Sequence, residues 1–298
     1  MSQSAQKSAE IRLTSPLPIA FILLWSSGYI GGAFGVRYGG PFTMTFFRFA
    51  FAAVIFLCVA LAIKSKWPKR LMSYVHAVIV GLLLQALQFG GLYTGISHRV
   101  PAGQAALIIG LMPILVVIGA YFWLGEKLSW RDLPGSLLGV GGVAIVVASS
   151  LMERGALFSG YGAVCLALVG ITSGTIYQKK FLSGIDLWIG CFIQMVTASL
   201  VMLVLALTTQ TMHVTHVWPF AASIAWITLM NSVGALTILY IMIRRGEASR
   251  ATNLFHVIPA TTQIMASVTL GEIPSWLAVL GFIVSGTGVY LMNHLRTK

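Results

Sequence analysis

Apolar residues run in long stretches along this chain, and the polar and charged ones gather in the short gaps between them. A helix that crosses a bilayer needs about 20 apolar residues. Ten stretches meet that length, at roughly 17–36, 42–63, 74–97, 102–124, 132–151, 158–178, 186–207, 219–243, 249–271 and 275–294. The pattern predicts an all-α integral membrane fold of ten transmembrane helices. The gaps are short, so neighbouring helices run antiparallel and no separate soluble domain fits between them. Residues 1–16 are expected as a cytoplasmic N-terminal tail. A cleaved signal peptide is the competing reading of the first stretch. It shows no clear small-residue cleavage site and contains Trp25 and Tyr29, so an uncleaved span is preferred.

Composition supports the same class. Hydrophobic residues make up 57% of the 298 and charged residues only 9%, against about 25% charged in soluble domains; the mean hydropathy is +0.89. Too few charges remain to cover a water-facing surface. The net charge of +12 raises the question of nucleic acid, but no basic run with interleaved aromatics is present. The cations cluster instead in alternate gaps. With both termini cytoplasmic, the inner set is Lys7, Arg12, Lys64, Lys66, Lys69, Arg70, Lys127, Arg131, Lys179, Lys180, Arg244, Arg245, Arg250, Arg296 and Lys298. The outer set is Arg37, Arg99 and Arg154, and Arg48 falls within the second span. The positive-inside rule therefore predicts N-in and C-in. Cys58, Cys165 and Cys191 lie in apolar stretches at no metal-binding spacing, and they suggest no disulfide framework.

The pattern also repeats at an offset of 146 residues. Leu124-Gly125-Glu126-Lys127-Leu128-Ser129-Trp130 returns as Leu270-Gly271-Glu272-Ile273-Pro274-Ser275-Trp276. In the same register Pro113 meets Pro259, Gly135 meets Gly281, Gly142 meets Gly288, Phe46 meets Phe192 and Ser27-Gly28 meets Ser173-Gly174. The halves are 17–151 and 158–294. Each holds five helices, an odd number, so the second enters the membrane from the opposite side. Two inverted five-helix repeats about an axis in the membrane plane are a transporter arrangement, because the halves can rock about a midplane site.

These residues resemble a known group. Pro113 with Leu124-Gly125-Glu126, Pro259 with Leu270-Gly271-Glu272, Trp25-Ser26-Ser27-Gly28 and Phe47-Arg48-Phe49 are similar to the pattern of the EamA-type drug/metabolite transporter superfamily, over about residues 17–294. Its amino-acid exporters, including those for aromatic amino acids, are the nearest branch. The resemblance implies export of small metabolites from a bacterial cytoplasm across the inner (plasma) membrane. It is specific for the fold and weak for the substrate.

Several residues are candidates for carrying transport. Pro113 and Pro259 lack the amides that would bond the carbonyls of Ile109 and Phe255, and in lipid a freed carbonyl needs protein, water or substrate. They are read as mid-helix kinks that act as hinges or line a cavity. Gln85 and Gln88 share a face of the third helix, and the repeat partner of Gln85 is Asn231. Asn253, His256 and Gln263 share a face of the ninth. Trp25, Ser26 and Tyr29 in the first helix and Ser173, Thr175 and Tyr177 in the sixth flank the repeated Ser-Gly pair. Each alone reads as interhelical glue; together they predict the lining of one central cavity. Trp25, Tyr29, Tyr93 and Trp226 are candidate stacking faces. His256, the readily titrating group well inside a span, is a candidate for holding a carboxylate or a proton. Arg48 needs a partner or water, or snorkels outward. Gly135, Gly139 and Gly142, with Gly281, Ser285 and Gly288, are expected to bring the fifth and tenth helices close.

All seven acids (Glu10, Glu126, Asp132, Glu153, Asp186, Glu247 and Glu272) fall in gaps or near span ends. A pump that trades a proton for a cationic drug at a buried carboxylate is thereby disfavoured. The pattern predicts a secondary transporter exporting small neutral or zwitterionic metabolites. A different substrate class (nucleobase, nucleotide sugar or drug) and proton coupling stay open. An enzyme is not expected, since no nucleophile–base pair or carboxylate pair lies in a span. Nor is any cofactor, metal or nucleic acid. The expected partners are a small-molecule substrate and the lipid bilayer, and one chain holding both repeats suffices as a monomer.

Overall fold

The computed structural model describes residues 16–125, 132–153, 158–182, 184–244 and 254–296. In chain order the helices are α1 (Leu17–Gly35), α2 (Pro41–Ala62), α3 (Leu71–Ser97), α4 (Ala102–Leu124) and α5 (Asp132–Glu153). They continue as α6 (Phe158–Phe181), α7 (Leu187–Thr209), α8 (Val217–Trp226, Ile227–Ala235 and Leu236–Arg244 in continuous succession), α9 (Ile258–Leu270) and α10 (Trp276–Arg296). Eight of them are long and apolar enough to cross a membrane, and α10 adds a shorter apolar stretch, Trp276–Gly288. No strand occurs among the described residues; one isolated antiparallel bridge joins Gly39 to Val214. The described helix ends lie within three residues of the hydropathy reading; the start expected for the ninth span, 249, falls outside the described residues, and Ile258–Leu270 follows a turn over 255–257. Residues 245–253, including Asn253, lie outside the described residues.

Two features of the backbone recur at the repeat offset. Gly81–Leu87 in α3 and Ile227–Ala235 in α8 are π-helical, and they begin 146 residues apart. A π segment widens the helix and occurs mostly at functional positions. Gly125 (φ 68°) and Gly271 (φ 71°) both end their helices in the left-handed conformation. The repeated Leu-Gly-Glu motif is thus a helix stop that needs glycine.

Packing follows the same register. α5 packs along α10, α2 along α7, α6 against α3 and α4, and α1 against α8 and α9. Each of these pairings maps onto itself or another when five is added to each helix number. In α5 and α10 the small residues let backbones meet. A Cβ on Gly142 would stand 2.5 Å from the carbonyl oxygen of Gly281, and one on Gly288 2.5 Å from that of Gly135. Without a hydrophobic driving force in lipid, such close approach is what holds helices together. Large apolar side chains elsewhere, such as Phe51, Leu137 and Val268, face outward, as a lipid solvent allows.

Candidate functional site

The two prolines do not kink continuous helices. α4 is broken into Ala102–Ile109 and Met112–Leu124, and Pro113 sits in the first turn of the second piece. Pro259 likewise sits in the first turn of α9, after a turn over Phe255–Val257. The expected position within a continuous helix is corrected, for a simple reason. Proline is favoured in a first helical turn, where its missing amide costs nothing. The chain turns at Gly110-Leu111 in one half and at His256-Val257 in the other, again 146 residues apart.

The two breaks abut. A Cβ on Gly110 would lie 2.8 Å from Cγ of Pro259, so only a residue without a side chain allows this approach. Between them is a small cavity of about 20 Å³ lined by Trp25, Tyr29, Ala106, Ile109, Gly110, Met112, Pro113, Ile171, Phe255, Ile258 and Pro259. This volume admits about one water molecule. Ile109 and Phe255, whose carbonyls cannot receive an amide from Pro113 and Pro259, both line it. Phe21, Trp25 and Phe255 close one end, with ring centroids 5.4 Å (Phe21–Trp25), 5.4 Å (Phe21–Phe255) and 5.0 Å (Trp25–Phe255) apart. Ser26 Oγ donates to the carbonyl of Ile258 at 3.4 Å, tying α1 to the second break. A second cavity, about 290 Å³, lies beside Pro259 and is lined by Leu107, Gly110, His256, Ala260, Phe282, Ile283, Ser285 and Gly286.

Of the residues expected to line one cavity, Trp25, Tyr29, Pro113 and Pro259 come together here, Ser26 joins the wall behind them, and His256 borders the neighbouring space. The others are placed elsewhere. Ser173 and Thr175 donate back to carbonyls of their own helix, Val169 and Ile171, each at 2.6 Å. Tyr177 hydrogen-bonds Nδ1 of His76 at 2.8 Å, and His76 stacks on Phe181. Gln85 lies in the π segment of α3, and Gln88 follows it, buried where α6 approaches at Gly170. Trp226 is half exposed and donates its indole N–H to Ser27 Oγ at 3.0 Å. The lining of the described cavity is therefore mostly apolar, not the polar path the sequence pattern predicts. In lipid, hydroxyls are cheaply satisfied by the preceding turn of their own helix.

Tyr93 and Asn231 do not line this cavity but meet in a hub beside α1 that the sequence did not reveal. Arg48, 1% exposed, does not snorkel. Its Nη1 donates to the Tyr93 hydroxyl at 2.7 Å, Nη2 to Asn231 Oδ1 at 2.7 Å and Nε to Ser232 Oγ at 2.8 Å. The guanidinium carbon lies 4.0 Å from the centroid of the Phe89 ring, a cation–π contact that further offsets burial of the charge. Among the described residues every hydrogen-bond partner of Arg48 is neutral. Tyr93 passes its proton to the carbonyl of Gly28 at 3.2 Å, and Asn231 Nδ2 donates to that of Trp25 at 3.3 Å. Gly28 and Gly32 are the reason the hub fits. A Cβ on Gly28 would meet the Asn231 amide at 2.5 Å, and one on Gly32 the Tyr93 ring at 1.9 Å. One buried cation thus fixes α2, α3 and α8 to α1, the helix that also carries Trp25 and Tyr29.

At one end of the molecule the loops before α2 and α8 are latched. In the Gly39–Val214 bridge Thr215 N donates to the Tyr38 carbonyl at 2.8 Å, and both the amide and hydroxyl of Thr43 donate to Gln210 Oε1, at 3.2 and 3.1 Å.

Comparison with known proteins agrees with this architecture. The model of the EamA-like transporter family matches the chain twice, over residues 16–148 and 158–294. An uncharacterised transporter of Bacillus subtilis is 26% identical, over 93% of this chain and 90% of its own. A probable amino-acid metabolite efflux pump of Escherichia coli is 23% identical, over 92% and 93%. A probable terminal-alkyne amino-acid exporter of Streptantibioticus cattleyicolor is 28% identical, over 66% and 65%. A solved crystal structure shares the fold with a TM-score of 0.67 at 17% identity, covering 94% of this chain and 96% of its own. With its two halves matched by one family model, this multi-pass membrane protein belongs to the EamA-like transporter family.

Proposed function

We propose that this protein is a secondary transporter that exports small neutral or zwitterionic metabolites, amino acids including aromatic ones, by alternating access between two inverted five-helix halves. The halves are residues 17–151 and 158–294, both termini face the cytoplasm of a bacterial cell, and a monomer suffices. The observation that carries the reading is the meeting of two helix breaks at matched positions, Gly110 against Pro259, around a small cavity. Discontinuous helices at a repeat interface are where transporters of inverted-repeat design hold their substrates. Paired π segments, paired left-handed glycines and the double family match support the repeat.

The chemistry of the cavity favours an amino acid. The backbone at the two breaks, where Ile109 and Phe255 line the cavity, offers carbonyl acceptors for an ammonium group. Trp25, Tyr29 and Phe255 offer faces for an apolar or aromatic side chain. Two relatives carry names of amino-acid exporters. A nucleobase could use the same acceptors and faces, and it is the second reading. A nucleotide sugar fits poorly, since no cation lines the cavity. The space closes to about 20 Å³ in this state, so transport requires the halves to move apart.

The test is counterflow into proteoliposomes preloaded with unlabelled solute, using labelled amino acids and nucleobases, with and without a pH gradient. Counterflow of an aromatic amino acid is expected. Counterflow of nucleobases alone would establish the second reading, and uptake of none of the panel would reject both. Strict dependence on the gradient would reject facilitated exchange and direct attention to His256.

A further inference from the structure

The latch between the loops before α2 and α8 has a counterpart at the other end of the molecule. Adding 146 to residues 36–40 gives 182–186, and subtracting it from 210–216 gives 64–70. Where the first pair of loops is joined by a backbone bridge and three side-chain hydrogen bonds, the second pair faces an open cleft of about 640 Å³. Lys64, Lys66, Lys69 and Arg70 line it, and the one acid in its lining is Asp186. That carboxylate is already engaged, accepting from the amides of Trp188 and Ile189 at the start of α7. Among the described residues the lining therefore sets four cations against one carboxylate, whose Oδ1 caps α7.

Its rim is apolar and faces outward. Ile63, Leu71 and Met72 are 55%, 78% and 57% exposed. Trp67 is also largely exposed, yet packs edge-on against Phe192 at 5.9 Å, which fixes the loop to α7. A positive-inside bias alone requires only that cations lie on this side; it does not require a cleft or an apolar rim around it. At the equivalent positions of the latched loops stand Gln210, Met212, Thr215 and His216, without a lysine or arginine. We infer that this cleft binds the phosphate of an anionic phospholipid headgroup, with the acyl chains lying along Ile63, Leu71 and Met72. Basic pockets between membrane helices are suited to such headgroups.

The inference is independent of the transport reading and is tested on the whole chain in neutral-detergent micelles. Native mass spectrometry would titrate phosphatidylglycerol, phosphatidylcholine and, separately, inorganic phosphate. A basic side chain near an anionic membrane surface is worth about fivefold in binding. Lys66→Gln/Lys69→Gln should therefore weaken phosphatidylglycerol binding tenfold or more, and Lys66→Arg/Lys69→Arg should restore it. Lys179→Gln/Lys180→Gln removes two cations from the same side outside the cleft and should change binding less than twofold. Phosphatidylcholine should bind without sensitivity to any of these changes. Equal losses in the two glutamine doubles would overturn the inference, because charge alone would then explain binding. So would binding of inorganic phosphate as tight as that of phosphatidylglycerol, because the apolar rim would then contribute nothing.

Discussion

Replacing Arg48 by lysine should harm the protein more than replacing it by methionine. The guanidinium reaches three acceptors, Tyr93 on α3 and Asn231 and Ser232 on α8, from three different nitrogens. A lysine ammonium is one compact point and cannot span them. Hydrogen bonds from a charged donor contribute about 1.5–3 kcal/mol each. Arg48→Lys keeps a buried charge while losing two of three bonds and the stacking over Phe89, a cost of roughly 3–6 kcal/mol. Arg48→Met removes the charge together with its desolvation penalty, as when apolar residues replace buried ions. The Tyr93 hydroxyl keeps the Gly28 carbonyl, so the main orphan is Asn231 Oδ1, at about 1–3 kcal/mol. The expected gap is about 2 kcal/mol, or on the order of 5 °C in midpoint for a chain of this size. Thermal unfolding in micelles, followed by the loss of monodisperse protein, measures it. A lysine variant as stable as the methionine variant would show that the hub does not depend on the planar fork.

Three further outcomes follow from the geometry. Gly142→Val should unfold the α5–α10 interface, since its Cβ would sit 2.4 Å from the Ser285 amide, whereas Gly141→Val and Gly286→Val, with nothing within 4 Å, should melt within a few degrees of wild type. Gly110→Ala places a methyl 2.8 Å from the Pro259 ring and should cost about 1–3 kcal/mol as overpacking, with counterflow slowed at least tenfold; unaltered counterflow would detach the abutting breaks from transport. Pro113→Ala with Pro259→Ala releases the fixed φ that starts the helix after each break and should slow counterflow while the protein stays folded; wild-type turnover in the double variant would contradict the role given to the paired breaks.

Hydropathy located most of the helices because the bilayer demands length and apolarity of each span. The repeat was legible because its register carries proline and glycine, which the backbone itself requires at Pro113 and Pro259 and at Gly125 and Gly271. Which face of each helix looks inward was not legible. In lipid both faces are apolar: Phe49 is fully buried while Phe51 on the same helix is 53% exposed. Arg48 was visible as an intramembrane cation, but its partners lie 45, 183 and 184 residues away, beyond any local pattern. The bonding of the polar set was hidden for a related reason. Ser173 and Thr175 read as cavity lining, yet a hydroxyl in hydrocarbon finds its own helix first. The π segments left no sequence signal beyond the pairing of Gln85 with Asn231.

The central claim is that the space around Tyr29 opens to each side of the membrane in turn. With Cys58, Cys165 and Cys191 replaced, a Tyr29→Cys variant in vesicles of known sidedness can be labelled by an impermeant thiol reagent from either side. Gly39→Cys/Val214→Cys, placed across the backbone bridge, adds a disulfide that holds the latch shut. The account predicts labelling from both sides with the latch free. With it cross-linked, labelling from the latch side should be lost and labelling from the opposite side retained. Labelling from a single side in the unlocked protein, or undiminished labelling from the latch side once it is locked, would contradict it.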